Sequence, residues 1–363
     1  MKYLLPAAAH LNRRAVVALF LFALTVSTLL AACQPVAAPT PAAGGDAAAA
    51  GDGGSLVIYS GRSENLVAPI IEQFANESGI EVEVRYGGTS ELAATILEEG
   101  DNSPADVFFA QDAGALGALS KAGRLDPLPQ EILDKVPSDL ESRNGDWVGI
   151  SGRARVLVYN TEELTEADLP DDIWGLTEPK WRGRVGWAPT NGSFQAFVTA
   201  LRVLEGEERA REWLEAMIAN EPQVYENNSA IVAAVAAGEI SVGLVNHYYL
   251  YRFLAEEGED FAARNYYFRT PNAGTMINVA GVGIINTSDN KDAAIQFVEF
   301  LLSNEAQQYF ANETFEYPLA GEGIETPDIL VPIDQIATPD IDLSDLDDLE
   351  GTLQLLQEVG ALQ

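Results

Sequence analysis

The chain has 363 residues, 47% of them apolar, room for a leader and two lobes of roughly 100–200 residues each. Fifty-five acidic residues against 21 basic ones give a net charge of −34, which argues against nucleic acid as a partner because phosphate binding needs clustered Lys and Arg. A single cysteine, two histidines and three methionines leave the common zinc, copper and haem sites without their donors.

At the N-terminus Lys2, Arg13 and Arg14 precede the uncharged run AVVALFLFALTVSTLLAAC, which ends at Cys33. A basic segment, a short apolar run and small residues make a secretion signal over 1–33, too short and poorly flanked for a confident membrane span. LAAC is similar to a lipobox, so Cys33 is expected to carry lipid; the alternative is an ordinary cleaved signal with an incidental cysteine. Residues 34–54 are rich in Ala, Pro and Gly and hold no large apolar side chain, which predicts a flexible tether. The expectation is a globular protein held outside the cytoplasm by a lipid anchor and a leash.

From Ser55 the pattern alternates between short apolar strands and amphipathic helices. SLVIYS reads as a strand and SENLVAPIIEQFANESG as a helix stopping at Gly79; IEVEVRYG alternates with period two. SELAATILEEG, ADVFFAQD and AGALGALSKAG continue as helix, strand and helix, and GISGRARVLVYN is a longer strand. A second series follows: GRVGWAPT then SFQAFVTALRVLEG, PQVYEN then SAIVAAVAAG, SVGLVN then YYLYRFLAEEG. YYFRT and AGVGIIN read as strands, NKDAAIQFVEFLLSNEAQQYFAN as one long helix, and the C-terminus as an acidic turn with a terminal helix. This order predicts an α/β fold of two doubly wound lobes with the ligand cleft between them. The expected boundaries are 55–153 plus about 280–325 for one lobe, and 154–279 plus about 326–363 for the other.

Ligands in such sheets bind beyond the carboxyl ends of the strands, where helix N-termini point. Four loops there carry similar chemistry: Ser60-Gly61-Arg62-Ser63, Asn191-Gly192-Ser193, Asn227-Asn228-Ser229, and Asn246-His247-Tyr248-Tyr249. Each alone reads as a helix cap; together they point to an anion or metal–anion cleft. With Asn246 as cap, Tyr248 and Tyr249 fall in the first helical turn, where negative charge is favoured. A phenolate is a hard oxygen donor suited to ferric iron, although on its own the doublet is better explained by packing and needs the other loops. Tyr266 and Tyr267 serve as a control: on a strand, neighbours point to opposite faces and cannot share an ion.

LVIYSGRSENL, PADVFFAQDAGALGAL, GISGRARVLVYN, WAPTNGSFQAF, VYENNSAIVAAVAAGEISVGLVNHYYLYR and LLQEVGAL resemble the periplasmic ferric-iron-binding proteins of ABC importers, from about residue 55 to the end. The resemblance implies a two-lobed, transferrin-like fold with a strand hinge, and Tyr248 and Tyr249 as ligands of Fe(III). It also implies a synergistic anion (bicarbonate, phosphate or citrate) at Asn191, Gly192, Ser193, Asn228 and Asn246. Arg153 or Arg155 would help to neutralise that anion, with Arg62 and Ser63 in the first loop. Two departures stand out: Arg62 and Ser63 occupy the loop where some members carry a histidine, and Ala110-Gln111-Asp112 the stretch where they carry a glutamate. Gln111 and Asp112 are therefore candidates for the metal or its surroundings, a plain helix cap being the alternative for Asp112.

The implied protein is a monomeric solute-binding lipoprotein that hands iron to an ABC permease. The same architecture serves other cargoes, among them phosphate, sulfate, thiamine and polyamines. An exported hydrolase is the reading from another class; no H-E-x-x-H, G-x-S-x-G, P-loop or Cys–His pairing supports it.

Overall fold

A computed structural model describes residues 54–362; the leader with Cys33 and tether residues 34–53 lie outside the described residues. The first half runs β1 (Ser55–Ser60), α1 (Glu64–Ser78), β2 (Glu81–Tyr86), α2 (Thr89–Glu99), β3 (Val107–Ala110), α3 (Ala113–Lys121) and the single turn α4 (Gln130–Leu133). The long strand β4 (Val148–Asn160) follows, then β5 (Val185–Trp187), α5 (Gly192–Glu205), α6 (Glu207–Ala219), β6 (Gln223–Val224), α7 (Asn228–Ala236), β7 (Val242–Asn246), α8 (Tyr248–Glu257) and β8 (Ala263–Tyr266). The chain closes with β9 (Ile277–Ile284), α9 (Lys291–Leu301), α10 (Asn304–Glu313), β10 (Tyr317–Pro318) and α11 (Leu349–Glu358).

Local sequence explains most of these elements. In α1, Leu66, Val67, Ile70, Ile71 and Phe74 recur at helical spacing and are buried, and Gly79 ends the helix at φ 71, a left-handed conformation cheap only for glycine. β2 alternates exposed and half-buried residues, as its period-two sequence requires of an edge strand.

The strand order is β2-β1-β3-β9-β4-β7-β5-β6. β1 pairs in parallel with β2 and β3, and β5 in parallel with β6 and β7. Between these two parallel groups lies β4. Its first half, Val148–Ala154, pairs antiparallel with β9, and Arg155–Tyr159 pairs antiparallel with β7. One strand therefore belongs to both sheet systems, and Arg153 and Arg155 sit where it passes from one to the other.

Three expectations are corrected. The long helix after residue 290 is two helices, because Ser303 accepts a hydrogen bond from Ala306 N at 3.3 Å and caps a new start. YYFRT is a strand only as far as Tyr266; beyond it, Arg269 N and Thr270 N donate to the Asp171 carbonyl instead of to β4. α6, which buries Ala210, Trp213, Leu214 and Met217, has no counterpart among the predicted elements.

Candidate functional site

Elements from both sheet systems converge on one buried polar cluster. β7 delivers Asn246 and then α8 starts at Tyr248, so both tyrosines occupy the first turn. Their rings stack with centroids 4.2 Å apart and planes 29° apart. Tyr248 is fully buried and its Oη has no hydrogen-bond partner among the described residues; Tyr249 is 6% exposed. Burial, reinforced by the charge of Tyr248 beside it, raises the Tyr249 phenol well above 10, while Arg62 and Arg153 pull it down.

Three arginines face them, all buried in a protein of strongly negative net charge. Arg153 and Arg155, two apart on β4, point to the same side. Arg153 donates from Nη2 to the Val279 carbonyl at 3.0 Å, and Arg155 to the Leu244 carbonyl at 3.1 Å. Burial and the Arg153 charge lower Arg155 to about 9, opposed by the two phenols. Arg62 donates from Nη2 to both oxygens of Glu316, at 2.7 and 2.9 Å, and burial, which lowers its pKa, is outweighed by that carboxylate. Nε and Nη1 of Arg62, Nε and Nη1 of Arg153, and Nε of Arg155 have no partner among the described residues. Buried guanidinium nitrogens normally find acceptors, so this set is suited to an anion.

Helix starts complete the lining. Asn191 caps α5, accepting from Ser193 N at 3.1 Å, and Asn227 caps α7, accepting from Ala230 N at 2.9 Å. Asn228 Nδ2 donates to Asn191 Oδ1 and Ser193 Oγ, each at 3.3 Å, and Arg155 Nη1 reaches Ser193 Oγ at 3.4 Å. The α5 start also touches the first sheet system. A Cβ on Gly192 would lie 2.7 Å from Asp112 Oδ2 and 3.2 Å from Thr89 Cβ, so only glycine fits. Ser90 Oγ donates to Gln195 Oε1 across the same seam.

Asp112 caps α3 through Oδ1, which accepts from Ala115 N at 3.1 Å. Its Oδ2 is unpartnered, and burial raises the carboxyl to about 6 against the pull of Arg153. Gln111 is buried beside it, its backbone N–H donating to Thr89 Oγ1 at 3.3 Å.

His247 is a structural residue. Its Nδ1 accepts from Ala154 N at 3.1 Å, so Nε2 carries the proton and donates to the Phe315 carbonyl at 2.8 Å. Burial lowers its pKa to about 4, which keeps it neutral.

The structure assembles Arg62, Arg153, Arg155, Asn191, Gly192, Ser193, Asn228, Asn246, Tyr248 and Tyr249, with Gln111 and Asp112 alongside. Two expectations change. Ser63 is exposed and makes no side-chain capping bond, because the turn that buries Arg62 rotates its neighbour outward. Asn246 does not cap α8: it ends β7 and its Oδ1 accepts from Arg155 Nη1 at 3.5 Å, while His247 takes the cap position. The control pair does not share a strand, which ends at Tyr266; Tyr267 Oη lies 3.4 Å from Tyr251 Oη, and Tyr266 packs on Phe268. Glu316 and Ser151 were not foreseen; Ser151 Oγ donates to Glu316 Oε2 at 2.6 Å. No group of three His, Cys, Asp or Glu suited to a metal exists among the described residues.

Two α/β lobes sharing a crossing strand, with unpartnered polar groups buried where they meet, define a solute-binding protein. Residues 102–337 match the family of bacterial extracellular solute-binding proteins, and the chain belongs to it. It is 34% identical over 321 residues to the Fe(3+)-binding periplasmic protein of Serratia marcescens, covering 88% of this chain and 94% of that one. Iron-bound HitA from Pseudomonas aeruginosa superposes with a TM-score of 0.80 at 36% identity, over 84% of this chain and 99% of its own. The Trichodesmium protein IdiA (FutA), solved with iron and citrate, gives 0.70 at 29% identity, over 84% and 99%.

Proposed function

We propose that this protein captures ferric iron together with an anion outside the cytoplasm and delivers it to an ABC-type permease, held near the membrane by lipid on Cys33. Tyr248 and Tyr249 supply phenolate ligands. Arg62, Arg153 and Arg155, with Asn191, Ser193 and Asn228 at the starts of α5 and α7, hold the anion, and Gly192 lets the lobes meet. The observation that carries the reading is the stacked, buried phenol pair facing unpartnered guanidinium nitrogens. Fe(III) would lower the Tyr249 phenol pKa that burial raises, since a trivalent cation favours the charged form. Two phenolates leave the ion one positive charge and open positions, which bicarbonate, phosphate or citrate would fill. The iron-related names of its relatives support the cargo. The strand β4 and its partner β9 are the proposed hinge, with lobe boundaries near 55–153 plus 280–325 and 154–279 plus 326–363.

Titration of iron-free protein with ferric citrate is expected to develop a visible phenolate-to-iron absorption band, lost in the Tyr248→Phe/Tyr249→Phe variant. Saturating iron without a band overturns the metal assignment. The three arginines favour one competing reading, a bare oxyanion as cargo. Thermal stabilisation by phosphate or sulfate alone, unchanged by the double tyrosine variant and with no response to iron, would establish it.

A further inference from the structure

Glu316 lies at a corner where three parts of the site meet. It is fully buried, as is the Arg62 side chain it holds. Oε2 also accepts from Ser151 Oγ on β4. The preceding residue, Phe315, has φ 58, a left-handed conformation unfavourable for a bulky side chain. That turn aims the Phe315 carbonyl at His247 Nε2, next to the two tyrosines, while the following residue points its carboxylate at Arg62. A strained corner persists only where surrounding contacts over-determine it.

The form of the ion pair is informative. An arginine–carboxylate tie with a purely structural role is commonly bidentate, engaging two nitrogens of the fork. Here both carboxylate oxygens take the single nitrogen Nη2, and Nε and Nη1 remain unpartnered. Glu316 thus grips one edge of the guanidinium and leaves the rest available to the cleft.

We propose that Glu316 is a specificity-determining residue that sets the net positive charge offered to the anion beside Tyr248 and Tyr249, matching it to a doubly charged rather than a triply charged partner. The inference rests on the reading of this cluster as a metal–anion site. Three guanidiniums against the carboxylates of Glu316 and Asp112 leave one positive charge. Fe(III) bound by two phenolates adds one more, and a dianion neutralises the pair. Without Glu316 the count rises by one and a trianion becomes the better match. Both carboxylates occupy positions whose effect on charge no local sequence pattern announces.

The test measures binding of inorganic sulfate and of citrate to iron-free protein by calorimetry at pH 7.5, for wild type, Glu316→Gln and Glu316→Asp. One added unit charge several ångströms from the anion, at an effective dielectric near 20, shifts the citrate-to-sulfate affinity ratio by about tenfold or more. Glu316→Gln is expected to raise the ratio by that factor, and Glu316→Asp, which keeps the charge, to hold the wild-type value. Should Glu316→Gln fail to fold, the Arg62→Gln/Glu316→Gln variant removes one charge of each sign and is expected to hold the wild-type ratio; a change of about tenfold in it overturns the assignment. A ratio within twofold of wild type in the folded charge-changing variant, or an equal shift in Glu316→Asp, overturns the assignment. Absence of binding of either anion to wild type overturns the anion reading beneath it. Because both ligands are read without iron, failure of the iron assignment leaves this outcome distinguishable.

Discussion

Gly192→Ala tests the idea that the α5 start must close against the other lobe. The added methyl would sit 2.7 Å from Asp112 Oδ2 and 3.2 Å from Thr89 Cβ. A carboxylate oxygen at the end of a free side chain could swing away cheaply, but this one is tethered, since Oδ1 of the same group caps α3. Thr89 is equally fixed, its Oγ1 donating to the Gly61 carbonyl at 3.1 Å. The clash is therefore relieved by separating the lobes, and overpacking of this kind costs about 1–3 kcal/mol. Gly192 supplies no side-chain donor, and the penalty applies only when the lobes meet, so it appears in the affinity of the closed form: roughly 5- to 150-fold weaker iron binding. Competition of the protein against a chelator of known affinity, in the presence of a fixed anion, measures this. The urea midpoint of the iron-free variant is expected to stay near wild type. Affinity within twofold of wild type would refute the steric argument and the closure it assumes.

Asp112→Asn is expected to change the pH dependence of stability in iron-free protein. The folded carboxyl titrates at about 6, above its usual 3.8, chiefly through burial. Between about pH 4 and 6 the folded form therefore binds more protons than the unfolded one, and wild type loses stability as pH rises, by at most about 3 kcal/mol. The variant retains a capping oxygen and lacks this loss, so urea unfolding should show it gaining on wild type up to about pH 6 and levelling off above. A gap that narrows with rising pH contradicts the assignment. His247→Phe leaves the buried Ala154 N–H and the Phe315 carbonyl without their partner. It is expected to cost about 2–5 kcal/mol of stability in urea titration; a cost below about 1 kcal/mol would show that the imidazole does not hold that corner. Arg155→Met removes a buried cation that packs over Phe194 and Phe197. Phosphate binding to iron-free protein should weaken at least tenfold, with stability near wild type or higher, since a buried charge is replaced by apolar volume; unchanged phosphate affinity would place the anion elsewhere.

Much of this arrangement is legible along the chain. Strand and helix periods mark β1 through α3 and, α6 apart, the β5 to α8 series, because half-buried strands and amphipathic helices write their faces into the order of apolar residues. The caps at Asn191 and Asn227 are equally local, each a side chain closing on a backbone N–H two or three residues ahead. Placing Tyr248 and Tyr249 in one helical turn needs no more than the end of an apolar run, although the residue picked as cap, Asn246, proved to be a strand end bonded to Arg155. The break at Ser303 shows the limit: a serine inside an apolar pattern caps a new helix only where packing turns the chain.

Sequence alone determined the alternation of elements, the phenol doublet and the glycine at the head of α5, since each depends on neighbours within a few residues. Tertiary structure alone decided that Arg153 and Arg155 both face the phenols, that Ser63 turns outward while Arg62 turns in, and that Glu316, 254 positions from Arg62, neutralises it. Charge compensation in a buried site acts through space at about 3 Å, and no pattern along the chain encodes which distant carboxylate the fold will bring to that distance.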